Sequence, residues 1–147
     1  MKIGSIQFPV FKPYNSAAIE FYIAGCNNRC SGCCNPELAD FNNGEEITST
    51  TFEYIKERLD MIGAIGILGG DILCQDRDEA ESFIKTIREM DKHITLWLFT
   101  GKDSLENHEW VYKYFDVIKY GKYDEKLKYD GFPASTNQKI IRKNIDY

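Results

Sequence analysis

Four of the five cysteines fall within nine residues, in the run Gly25-Cys26-Asn27-Asn28-Arg29-Cys30-Ser31-Gly32-Cys33-Cys34. Thiolates at the spacing of Cys26, Cys30 and Cys33 can wrap one compact metal centre. A structural zinc site would need four ligands, usually as two separated pairs. The second pair is missing, and His93 and His108 lie far from the loop in sequence, although Cys74 alone could complete a zinc site in space. Cys30-Ser31-Gly32-Cys33 also has the spacing of a redox dithiol, which would leave Cys26 and Cys34 without a role. An electron-transfer ferredoxin would close its cluster with a fourth cysteine, and Cys34 follows Cys33 too directly to bind the same cubane. The reading that uses most of these features is a [4Fe–4S] cluster held by Cys26, Cys30 and Cys33, with the fourth iron open to a small ligand. Cys26, Cys30 and Cys34 form a conceivable alternative register.

The elements that must position this loop are legible as alternation. Apolar, β-prone runs at Ile19–Ala24, Ala64–Leu68, Ile94–Phe99 and Asp116–Tyr120 are separated by stretches with helical spacing, the form of βαβ units. The spacing predicts helices over about Thr51–Met61, with Thr48 or Ser49 as cap, and about Asp78–Met90, with Asp76 and Glu79 resembling a capping box. A third is expected over about Leu105–Phe115. Strands so connected pair in parallel, with helices on the sheet's outer face. Glycine marks every strand exit: Gly25, Gly69-Gly70, Gly101 and Gly121. In a parallel sheet those exits share one edge, where binding loops gather.

At 147 residues, with 43% hydrophobic and 28% charged residues, the chain is expected to form one domain over 1–147. The net charge of −5 disfavours polyanion binding, so no nucleic-acid partner is expected; Lys139, Arg142 and Lys143 read as a solvated face. No apolar run approaches the ~20 residues of a membrane span, and clustered thiols suit a reducing compartment. A cytoplasmic protein is the expectation.

Cys26-x-x-x-Cys30-x-x-Cys33 after a first strand resembles the signature of radical S-adenosylmethionine (SAM) enzymes, and Gly69-Gly70-Asp71 resembles their GGE-type motif. A narrower resemblance, to anaerobic ribonucleoside-triphosphate reductase activating proteins, covers about 21–141. It is carried by the cysteine loop with Asn35-Pro36-Glu37, Gly69-Gly70-Asp71-Ile72-Leu73, Phe99-Thr100-Gly101, Asp116-Val117-Ile118 with Gly121-Lys122-Tyr123, and Ala134-Ser135-Thr136-Asn137-Gln138-Lys139-Ile140-Ile141. The chain departs from that family's usual pattern at Cys34, where an aromatic is usual, and at Ile72, where proline is common.

That resemblance implies an α/β fold of the radical SAM type: a partial, open (βα) barrel with a parallel sheet and outer helices, since a full barrel takes roughly 250 residues. It also implies an oxidoreductase in which SAM chelates the open iron and is cleaved reductively, giving a glycyl radical on the large subunit of a class III reductase. An external one-electron donor such as a flavodoxin would supply the electron. Gly69, Gly70 and Asp71 would hold the SAM amino end, and Thr100, Ser135 and Asn137 would reach its ribose or carboxylate. Plainer readings stand beside these. Asp71 is a common turn residue, Ser135-Thr136-Asn137 suits a cap or turn, and Tyr112, Tyr114, Phe115, Tyr120 and Tyr123 serve equally as interface or core. The rival functions are a radical SAM enzyme acting on another glycyl radical protein or small molecule, and a non-enzymatic metal-binding or electron-transfer module.

Overall fold

The computed structural model describes residues 1–30, 32, 33 and 36–147. Its strands are β1 (Lys2–Val10), β2 (Ala18–Ala24), β3 (Glu45–Glu46), β4 (Ala64–Gly69), β5 (Thr95–Phe99), β6 (Val117–Tyr120) and β7 (Lys139–Arg142). They form one seven-stranded sheet in the order β3-β1-β2-β4-β5-β6-β7. The expected runs are all strands, and β2, β4, β5 and β6 pair in parallel as the alternation requires.

The expected partial (βα) barrel with a parallel sheet and outer helices is corrected. The sheet is mixed: β1 pairs antiparallel with β2 and β3, and β7 pairs antiparallel with β6. Helix is sparse, with α1 (Ser49–Lys56), α2 (Arg77–Met90) and α3 (Val111–Tyr114). Only α2 is long enough to cover several strands, and no barrel of repeating strand-helix units is present among the described residues. Both flanks of the parallel core are taken by antiparallel strands outside the four expected runs.

Two helices are shorter than their apolar periodicity predicts, for local reasons. The first ends at Lys56 because Arg58 curls back: its guanidinium donates to the Tyr54 carbonyl at 3.0 Å and lies 3.6 Å from the centre of the Tyr54 ring. The Arg58 N–H meanwhile bonds one residue tighter, to the Ile55 carbonyl at 3.0 Å, and a 3-10 turn Leu59–Met61 follows. In the third, Asn107 adopts φ 68, a left-handed conformation that interrupts an α-helix, so only Val111–Tyr114 is helical. Helix α2 matches its expectation closely. The Asp76 carboxylate accepts from the Glu79 N–H at 3.0 Å, satisfying an otherwise orphaned donor.

Strand parity divides the sheet's two faces. Ile19, Phe21 and Ile23, Ile65 and Ile67, Leu96 and Leu98, and Ile118 point to one face, where they pack with Ile55 of α1, Ala80, Phe83, Ile84 and Ile87 of α2, and Val111 of α3. Phe21 meets Phe83 edge-on at 5.8 Å. Burying each such aliphatic or aromatic side chain contributes about 1.5–3 kcal/mol. The opposite face carries a second cluster of Tyr14, Ala18, Ala64, Trp97 and Val117, with no helical residue in it. There Gly66 leaves the space that the Tyr14 phenol occupies. The Tyr14 hydroxyl donates to the buried Glu20 carboxylate at 2.6 Å, and its ring stands edge-on to Trp97 at 5.1 Å. No helix among the described residues is long and apolar enough to cross a membrane.

Candidate metal centre

The parallel pairing of β2, β4, β5 and β6 sets their C-terminal ends along one edge, and the four glycine-bearing exits meet there. Closest to one another are the exits of β2 and β4. Gly69 has φ 114, and a Cβ on it would lie 2.5 Å from the Ile23 amide nitrogen. A Cβ on Gly70 would lie 2.7 Å from the Gly25 carbonyl oxygen. The glycine pair thus lets the β4 exit press against the root of the cysteine loop. Three hydrogen bonds fasten that root: the Asp71 N–H donates to the Gly25 carbonyl at 3.0 Å, the Gln75 amide to the same carbonyl at 2.9 Å, and the Gly25 N–H to the Leu38 carbonyl at 2.8 Å.

Asp71 is the hub beneath the site. It is fully buried, and its carboxylate accepts from the Asn28 side-chain amide at 2.5 Å, the Leu73 N–H at 3.0 Å, the Gly101 N–H at 2.9 Å and the Thr100 hydroxyl at 2.7 Å. One buried anion therefore joins the cysteine loop to the exits of β4 and β5. Donors from three segments satisfy it, as a buried charge requires.

Above this hub lies a cavity of about 370 Å³. Cys26, Cys30, Cys33, Gly69, Gly70 and Thr100 all line it, joined by Asn28, Arg29, Phe99, Lys119, Tyr123 and Gln138. Two larger hollows, of about 610 and 780 Å³, lie along β1 and carry no cysteine. The thiols therefore decide which hollow matters.

The remaining predicted residues fall elsewhere. Ser135 is fully buried, accepting from the Asp124 N–H at 3.2 Å, while its own N–H donates to the Gln138 side chain at 3.2 Å. The exposed Asn137 donates to the Lys122 carbonyl at 2.8 Å. Both fasten the turn before β7 to the segment after β6, and neither lines the cavity. Gln138 does line it, held by its own bond to the Gly121 carbonyl at 2.9 Å. Of the aromatics, Tyr114 and Phe115 are core and Tyr123 lines the cavity. Cys34, with the alternative ligand register, lies outside the described residues, as do Ser31 and Asn35 of the quoted motifs.

Sequence reasoning missed the Asn28 side chain, Gln75, Phe99 and Lys119. Phe99 and Lys119 were detectable by parity: they alternate with inward Leu98 and Ile118, and so face away from the helices. Nothing in the sequence marks Gln75.

The thiols are electrostatically distinct. Cys26 is pushed up, first by its hydrogen bond with Cys74 and then by burial, whereas the same bond draws Cys74 down to about 7. Burial pushes Cys30 up, partly offset by the Tyr123 N–H and the nearby Lys122 and Lys119. The Asn28 N–H donates to the Cys26 sulfur at 3.4 Å.

Three thiols around one cavity, on a loop whose Asn28 N–H lies against a sulfur, suit an iron–sulfur cluster. Cys26, Asp71 and Cys74 also bring potential ligand atoms within 4.8 Å of one another. The Asp71 oxygens, however, are already engaged by the donors described above, which leaves no carboxylate for a metal there. A family model for a 4Fe-4S single cluster domain matches residues 17–141. The chain belongs to this family, and the match supports a [4Fe–4S] cluster as its bound group. No curated protein and no solved structure matches the chain.

Proposed function

We propose that the protein is a radical SAM activase that generates a glycyl radical on the large subunit of an anaerobic ribonucleoside-triphosphate reductase. The observation that carries this reading is the convergence of Cys26, Cys30 and Cys33 with Gly69, Gly70 and Thr100 on one cavity. Three thiolates leave one iron of a cubane without a protein ligand. The glycine-lined wall beside them offers backbone, rather than side-chain bulk, to a small chelating ligand.

A [4Fe–4S] cluster held by Cys26, Cys30 and Cys33 would supply the electron for reductive cleavage of bound SAM, the chemistry that would generate the radical on the partner's glycine. The chain's own residues bind and orient. Cys26, Cys30 and Cys33 hold the cluster, and the Asn28 N–H next to the Cys26 sulfur tunes it. Gly69 and Gly70 let the backbone approach the amino end of SAM. Asp71 acts from beneath by fixing Asn28, Thr100 and Gly101. Phe99 and Tyr123 supply apolar walls that would exclude water from the site. The reductase and a flavodoxin-like electron donor are the partners this reading requires.

Anaerobic reconstitution tests it. About four irons and four sulfides per chain, with methionine and 5′-deoxyadenosine released on adding SAM and a strong reductant, is the expected result. A cluster that forms but neither changes its spectrum with SAM nor yields those products would make the protein an electron carrier instead. Radical formation on a co-purified reductase, against its absence on another glycyl radical protein, tests the partner.

A further inference from the structure

Cys74 is not needed by the proposed chemistry, yet the fold delivers it to the cluster loop. It closes the 3-10 helix Ile72–Cys74, whose first turn is fixed by the Asp71 carboxylate accepting the Leu73 N–H at 3.0 Å. Its thiol donates to the Asn27 side-chain oxygen at 3.0 Å, and its sulfur lies within 4.8 Å of the Cys26 sulfur. Cys26 lines the cavity and Cys74 does not. The pair therefore spans the cavity wall, with one sulfur directed to the cluster position and the other behind it.

We propose that Cys26 and Cys74 form a reversible disulfide in the cluster-free protein, and that this bond blocks cluster loading. A disulfide needs about 2.05 Å between sulfurs, and the two sulfurs already lie within 4.8 Å of one another. The oxidant is a low-molecular-weight disulfide. One thiolate of the pair attacks it, releasing one small thiol and leaving a mixed disulfide; the second thiolate then attacks the protein sulfur and releases the other small thiol. Two protein thiols are oxidised, one small disulfide is reduced to two thiols, and the two thiol protons pass to the released thiolates. The bond withdraws one of the three ligand sulfurs and shields it from irreversible over-oxidation. This inference rests on Cys26 being a cluster ligand but not on SAM, so it stands even if SAM cleavage fails.

Trypsin makes the test direct, because Arg29 separates Cys26 from the other loop cysteines. Residues 3–29 carry only Cys26, residues 30–56 carry Cys30, Cys33 and Cys34, and residues 59–77 carry only Cys74. The full chain, stripped of iron anaerobically, is treated with glutathione disulfide, alkylated, digested and weighed. The expected product joins 3–29 to 59–77, disappears with dithiothreitol, and accompanies at least a fivefold slower uptake of iron and sulfide. Cys74→Ser should load its cluster at the untreated rate without glutathione disulfide, and should retain most of that rate after it. Predominant linkage of 3–29 to 30–56, or a Cys74→Ser protein blocked as fully as the parent, would overturn the proposal.

Discussion

The side-chain amide of Asn28 donates to the Asp71 carboxylate at 2.5 Å, across 43 residues of sequence. This bond ties the cysteine loop to the β4 exit, and the Thr100 hydroxyl reaches the same carboxylate from the β5 exit. The site's geometry therefore depends on a buried anion beneath it as much as on the ligands.

Asn28→Ala removes one donor to a buried charge and should cost about 1.5–3 kcal/mol. For a chain of this length that lowers the thermal midpoint by about 2–4 °C per kcal/mol. Asp71→Asn should cost more, because its NH₂ group would face the Leu73 N–H in one orientation and the Asn28 and Gly101 donors in the other. Calorimetry on the two variants, with iron content after reconstitution, checks the order. Equal stability of Asp71→Asn and the parent would remove Asp71 from its central position.

Cys26→Ala, Cys30→Ala and Cys33→Ala should each lose the cluster, reducing bound iron several-fold, while Cys74→Ala retains about four irons per chain. Iron and sulfide assays on anaerobically reconstituted protein decide this. Full iron retention in Cys33→Ala would transfer the third ligand to another cysteine.

How far the sequence revealed this arrangement depended on whether a residue's role was local. The four parallel strands were visible because each is an apolar run between turn signals, and the cysteine loop because its spacing is short-range chemistry. Strand β1 escaped because Gly4 and Pro9 read as breakers, although Ile6, Phe8 and Val10 alternate with the exposed Ser5 and Gln7. Strand β7 escaped because Lys139 and Arg142 bracket only two apolar residues; it exists through pairing with β6, a tertiary effect that local propensity does not contain. Those two strands turn the expected parallel architecture into a mixed sheet. At the site, Gly69 and Gly70 were recognisable by motif, whereas the burial of Asp71 depends on loops that converge only in the fold.

Helix α2 is the principal helical cover of the core, and Ile84 is fully buried on it. Ile84→Ala should destabilise by about 2–5 kcal/mol through lost burial and the residual cavity. Chemical denaturation should register the loss with an unchanged slope. A cost below about 1 kcal/mol would mean that α2 packs more loosely than the edge-on contact of its Phe83 with Phe21 implies.

Alkaline pH should act through the face without helices. Tyr14 and Tyr22 both donate to Glu20, at 2.6 and 2.9 Å. Burial first, and then the hydrogen bond to that carboxylate, push both phenols well above their ordinary value of 10.0. A group whose folded pKa is raised contributes stability that is complete below its unfolded pKa and is lost as pH climbs toward the folded one. Stability should therefore be insensitive to these tyrosines at neutral pH and decline above about pH 10, where the unfolded chain releases phenolic protons that the native chain retains. Tyr14→Phe lowers the neutral-pH baseline by about 1.5–3 kcal/mol, since Glu20 loses a donor, but flattens the alkaline decline. Denaturation midpoints measured from neutral pH to pH 11, alongside phenolate absorbance of the native protein, separate the two effects. An equally steep decline in Tyr14→Phe would place the alkaline sensitivity outside the Tyr14–Glu20–Tyr22 cluster.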